Sequence, residues 1–168
     1  MNLSLNTNNQ IFVDDHFARA SIGKNGIGKK VLEGDCITPV GRFSLRCLMY
    51  RADRYPPPKT QLHVEKIQKT DGWCDDPEDP NYNKKIKLPS QKSHEVMWRQ
   101  DHVYDFVIPL GFNDEIIIPG AGSAIFIHLA HPDFKPTEGC VGVEILTMKK
   151  IFQSYQVGDC IDIGYVKG

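Results

Sequence analysis

The chain has 168 residues, enough for one domain whose apolar core holds without staples. With 40% hydrophobic and 24% charged residues, and 20 basic side chains against 21 acidic ones, its composition is that of a soluble globular protein. That balance excludes the basic excess of a phosphate-tracking surface, so no nucleic-acid partner is expected. No run approaches the ~20 apolar residues of a membrane span, and the start, "MNLSLNTNNQIFVDD", has no charged n-region or apolar h-region. The five cysteines, Cys36, Cys47, Cys74, Cys140 and Cys160, are odd in number and lack CxxC spacing. Both features point to a cytoplasmic protein with reduced thiols, or to a periplasmic one if a leader preceded Met1.

Strands come first. "QIFVDD" and "FARASIG" alternate, and "RFSLRCLMYR" reads as one strand with Phe43, Leu45, Cys47 and Met49 on a single face. "GKNGIGKK", residues 23–30, begins like a phosphate loop but ends in Lys30 where Ser or Thr must hold magnesium, and no helix pattern follows. It reads as a glycine-rich hairpin loop. Residues 54–93 then turn rich in Pro, Asp, Asn and Lys, an irregular insertion in which Trp73 and Tyr82 suggest a packed cap. Its "WCDDPEDP" run has neither the alternate oxygens of a calcium loop nor the Cys/His spacing of a zinc site, so no metal and no cofactor are expected.

A short helix is expected at "SHEVMWRQ" with Ser93 as N-cap. "YDFVIPLG", "DEIIIPG" and "SAIFIHLA" read as strands. "LTMKKIFQSYQ" reads as a helix with Leu146, Ile151 and Tyr155 near one another and Gly158 past its end, and "CIDIG" as a closing strand. The sum is a mainly β domain spanning residues 1–168, with one or two short helices and an insertion near 54–93.

The chemistry concentrates in "HLAHPDFKPTEGCVGV", residues 128–143. Cys140 follows Gly139 in a turn that leads into an apolar alternation, and His128 ends an apolar strand twelve positions earlier. A thiol with an ordinary pKa near ~8.5 is mostly protonated at neutral pH, and a neighbouring imidazole makes it a usable nucleophile by taking that proton. A base-activated Cys140 would be alkylated before Cys36, Cys47 and Cys160. His131 competes for the role of base, but it lies inside a loop, whereas His128 closes a rigid strand. On spacing alone, a buried structural thiol and a surface histidine stay open as the alternative.

"SAIFIHLAHPDFKPTEGCVGV" resembles the catalytic segment of the YkuD family of L,D-transpeptidases, and "EGDCITPVGRF" resembles its Gly-Asp-x-x-Thr-Pro-x-Gly-x-Phe segment through Gly34, Asp35, Thr38, Pro39, Gly41 and Phe43. The resemblance runs from about Phe17 to the end. It implies a mixed β-sandwich or barrel-like fold and a cysteine acyl-transfer enzyme acting on peptidoglycan stem peptides. Cys140 would attack the carbonyl between a diamino acid and the following D-residue. His128 would be the base, oriented by a backbone carbonyl such as that of Leu129, while Gly139 and Cys140 would supply oxyanion donors.

Thr137, His131, Trp73, Tyr104 and Arg42 are candidates for holding substrate. Many members carry Arg two residues after the cysteine. This chain has Gly142, so Arg42, Arg99 or a lysine of 84–87 would have to hold the substrate carboxylate. The expected reaction is L,D-carboxypeptidase hydrolysis of tetrapeptide muropeptides, with transpeptidation as the alternative and a non-catalytic peptidoglycan- or partner-binding domain as the second.

Overall fold

A computed structural model describes residues 1–164. The strands in chain order are β1 (Leu3–Leu5), β2 (Gln10–Val13), β3 (His16–Ser21), β4 (Ile27–Gly28), β5 (Thr38–Pro39), β6 (Gly41–Ser44), β7 (Leu48–Tyr50) and β8 (Val64–Lys66). Then follow β9 (Asp71–Cys74), β10 (Lys85–Lys87), β11 (His94–Val96), β12 (Phe106–Pro109), β13 (Phe126–Leu129), β14 (Val141–Val143), helix α1 (Ile145–Ser154) and β15 (Cys160–Ile163).

Ten strands form one sheet in the order β6-β15-β1-β2-β3-β14-β13-β12-β7-β8. β6 and β7 are three residues apart in the chain yet lie near opposite ends of that order, so the sheet curls toward itself as a half-barrel. A bridge between Leu45 and Leu110 fastens this crossing. The expectation of one continuous strand over residues 42–51 fails here. The chain breaks at 45–47 and its phase flips, so Phe43 and Leu45 join one core while Cys47 and Met49 join another.

Alternation along the strands divides the two cores. Phe106, Ile108, Ile127 and Val141 face α1, which buries Thr147, Met148, Ile151 and Phe152. Leu146, expected on that face, is 72% exposed, because the helix turns its Met148 side inward instead. Val107 and Phe126 point the other way, with Met49, Ile67, Met97 and Tyr104. The second core is roofed by a three-stranded sheet, β10-β9-β11.

That small sheet corrects two expectations. The 54–93 segment is not structureless, since it contains β8, β9 and β10. "SHEVMWRQ" is not a helix: His94, Glu95 and Val96 pair with Cys74, Trp73 and Gly72, and this tertiary pairing overrides a weak local helical pattern. "DEIIIPG" is not a strand either. Asn113 takes up the hydrogen bonds a ladder would have made, accepting from Ile118 N and donating to the Ile118 and Gly122 carbonyls, while Ile116 and Ile118 are exposed.

Candidate active site

The segment 34–39 is built around Asp35. Its carboxylate accepts from the backbone amides of Val31, Leu32 and Ile37 and from Lys30 Nζ at 2.5 Å. Burial opposes ionisation there, but Lys30 and the three amides prevail and hold the carboxyl down to about 2. Thr38 is fully buried and accepts from Gly23 N at 2.8 Å, so this segment supports the loop that runs beside the 137–140 turn. A bridge from Gly23 to Thr137 completes the support.

β13 and β14 are parallel neighbours in the register Ile127 to Val141, His128 to Gly142. Cys140 immediately precedes β14, so it projects from the same face as Gly142, Phe126 and His128. The Cys140 sulfur accepts from Phe126 N at 3.4 Å and donates to the Ala124 carbonyl oxygen at 3.1 Å. His128 is 6% exposed, with Nδ1 2.9 Å from the Leu129 carbonyl oxygen. A carbonyl only accepts, so Nδ1 carries the proton and Nε2 keeps its lone pair. Burial, opposed by that hydrogen bond, pushes the imidazole down to about 4, and burial pushes the Cys140 thiol up to about 12. At rest the pair is therefore a neutral thiol beside a neutral imidazole.

The turn before Cys140 has its own wiring. Thr137 Oγ1 donates to the Cys140 carbonyl at 2.7 Å and accepts from Gly139 N at 3.1 Å. The Gly139 amide is thus committed, and of the two expected oxyanion donors the Cys140 amide is the one this turn leaves free. Gly139 has φ +136°, and a Cβ there would lie 2.9 Å from the Ile37 carbonyl oxygen. Only glycine fits this close approach.

Cys140 and His128 open into a cleft of about 330 Å³ that Tyr104, His131, Thr137 and Arg99 also line. Tyr104 is 7% exposed, stands edge-on to His128 with centroids 5.5 Å apart, and donates to Glu95 at 3.4 Å. Two expected substrate contacts lie elsewhere. Trp73 packs edge-on against Phe126 and donates to Asn83, lining a neighbouring pocket. Arg42 is on β6, paired with Asp162 at 3.1 Å and away from the cleft. Of the other cations considered, Lys84 lines the neighbouring pocket, Lys85 pairs with Glu65 and Lys87 with Asp71, leaving Arg99 as the one that lines the cleft, itself paired with Asp101.

A strand-end histidine, a Thr-x-Gly-Cys turn and the loop of Gly34 and Asp35 thus meet around one cleft. The family model described as "YkuD: L,D-transpeptidase catalytic domain" matches residues 4–163. The chain belongs to this family. No curated protein and no solved structure matches it. YkuD domains are cysteine-dependent enzymes of peptidoglycan stem peptides, and that frames the rest of this YkuD cleft.

Asp75, weighed in the sequence only within a metal-like run, joins Glu95 and Glu138, for which the sequence suggests no role, as three carboxylates of the cleft with no ion pair among the described residues. Burial pushes the Glu95 carboxyl up, and Asp75 and Glu138 add to it. Among the described residues no three His, Cys, Asp or Glu side chains converge as metal ligands. The common signal was absent because Asp75 and Glu95 meet only when β9 and β11 pair.

Proposed function

We propose that the chain is a cytoplasmic L,D-carboxypeptidase, one catalytic domain that hydrolyses the bond between the diamino acid and the terminal D-residue of tetrapeptide muropeptides. The observation that carries this reading is the shared wall of Cys140 and His128, with the Leu129 carbonyl leaving Nε2 as the basic nitrogen. In the reaction the thiol turns from Ala124 toward the substrate carbonyl, its proton passes to Nε2, and a carbon–sulfur bond forms. The Cys140 amide faces the oxyanion, where one such donor is worth about 3 kcal/mol of barrier. The carbon–nitrogen bond then breaks as His128 returns the proton to the departing amine. Water, deprotonated by His128, attacks the thioester and frees the thiol.

Hydrolysis is favoured because a cleft of about 330 Å³ is at the small end for ligand sites and suits one peptide end. The segment 54–93 narrows it through Asp75. All five thiols are unpaired, the state a reducing compartment maintains. One observation supports a second reading, transfer to an amine: the carboxylates of Asp75, Glu95 and Glu138 would attract an ammonium group. Incubation with free tetrapeptide followed by mass spectrometry separates them. Loss of one D-residue supports hydrolysis, and a cross-linked dimer supports transfer. If Cys140→Ala keeps full activity, the nucleophile assignment fails.

A further inference from the structure

Ser21 is 4% exposed, lines the cleft, and its Oγ is buried without a hydrogen-bond partner. A buried hydroxyl left unpaired costs roughly 1–3 kcal/mol, so its presence calls for a partner that the protein alone does not supply. Ser21 stands opposite Gly142 in the β3–β14 pairing, and Gly142 stands opposite His128 in the β13–β14 pairing. The three form one row across the sheet, with no side chain at the middle position.

That gap is spatial in origin. A Cβ at Gly142 would lie 3.2 Å from Ser21 Cβ, 3.3 Å from Ser21 Oγ and 3.2 Å from Ala130 Cα, and the backbone there is not left-handed. Glycine is present because anything larger would fill the space in front of the serine. We propose that Ser21 and the bare backbone at Gly142 form the subsite for the terminal carboxylate of the residue that leaves, an assignment that rests on the proposed function.

Reach and charge both support it. Gly142 is two residues beyond Cys140, about 6.6 Å along the strand at ~3.3 Å per residue. A carboxylate one residue past the scissile carbonyl lies a similar way from the sulfur, ~3 Å of attack distance plus ~3.5 Å of chain. On this side the cleft wall is the 130–137 loop, which runs along β3 with Arg19 stacked on Phe134 and contributes His131 and Lys135. The carboxylates of the cleft, Asp75, Glu95 and Glu138, act on one another around Glu95, and a carboxylate would be repelled from that group.

The test compares a tetrapeptide ending in a free carboxylate with its C-terminal amide, on wild type and on Ser21→Ala. Wild type should prefer the acid, and Ser21→Ala should raise KM for the acid about tenfold with kcat within twofold, while changing the amide little. The melting temperature should stay level or rise. An unchanged KM, or an equal loss on acid and amide, overturns the assignment alone. If Ser21→Ala does not fold, Gly142→Ala, which fills the same gap, carries the same expectation. If wild type cleaves neither peptide, the proposed function falls and this subsite with it.

Discussion

The Ala124 carbonyl oxygen holds the Cys140 thiol at 3.1 Å, and Ala124 does so from a left-handed backbone conformation with φ +52°. A non-glycine residue in that region costs about 1 kcal/mol and is kept where surrounding structure over-determines it. Burial, with Glu95 and Glu138 adding to it, keeps the resting sulfur protonated while Ala124 orients it, in contrast to the base-activated thiol expected from the sequence. Alkylation by iodoacetamide at pH 7, followed by peptide mapping, should therefore show Cys140 reacting no faster than the part-exposed Cys36 and Cys160. Preferential labelling of Cys140 in the free enzyme would mean that His128 already holds its proton.

Asn83 is what fixes Ala124. Its Oδ1 accepts from Ala124 N and Trp73 Nε1, both at 3.0 Å, and its Nδ2 donates to the Phe112 and Asn113 carbonyls. Four bonds at a net ~1 kcal/mol each, at a residue 6% exposed with φ +57°, make Asn83→Ala destabilising by roughly 3–5 kcal/mol in urea denaturation. Asn83→Gly should recover about 1 kcal/mol through the backbone alone. Equal losses for the two variants would show that the left-handed conformation plays no part.

The Thr137 hydroxyl is hydrogen-bonded to both ends of the turn before Cys140. Thr137→Val removes both bonds of Oγ1, leaving the Cys140 carbonyl and the Gly139 amide unsupported. The expected result is a stability loss of about 1–2 kcal/mol and a larger fall in kcat than in KM, with Thr137→Ser restoring both. Rescue by valine and not by serine would assign Thr137 to packing.

Acid should lower the stability of the protein over two successive pH intervals. Below its ordinary value of 6.5, the imidazole of an unfolded chain takes up a proton, whereas folded His128 does so only near 4. Stability therefore falls as pH drops through that interval, by about 3 kcal/mol at ~1.4 kcal/mol per pH unit. Asp35 has the same sign lower down: the unfolded carboxylate protonates near 3.8, the folded one near 2, so its stabilisation is lost between them. Denaturation midpoints from pH 7.5 to 4.5 should slope for wild type and flatten in His128→Gln. Parallel slopes would remove His128 as the cause.

Local pattern was enough for β2, β3, β12, β13, β15 and α1, whose alternation or helical spacing is written in contiguous residues. It failed at β9 and β11, because Gly72, Trp73 and Glu95 become strand residues only through one another. It also failed at 45–47, where a single alternating run serves two cores after a phase flip. At the candidate site, spacing alone left a buried thiol and a surface histidine open, and it was the family resemblance that pointed to Cys140 and His128, which the fold brings to one face of β13 and β14 and into one cleft. Ser21 was not legible: "FARASIG" shows a strand, and nothing in it says that the residue across the ladder is a glycine. Arg42 misled because an arginine's charge is visible in sequence while its partner, Asp162, is 120 residues away.

The most direct test of the account is intact-protein mass spectrometry of wild type quenched within milliseconds of mixing with tetrapeptide. The account predicts an adduct equal to the peptide without its terminal D-residue, mapped by proteolysis to Cys140 and absent from Cys140→Ala. Turnover with no adduct at Cys140, or an adduct on another residue, would contradict it.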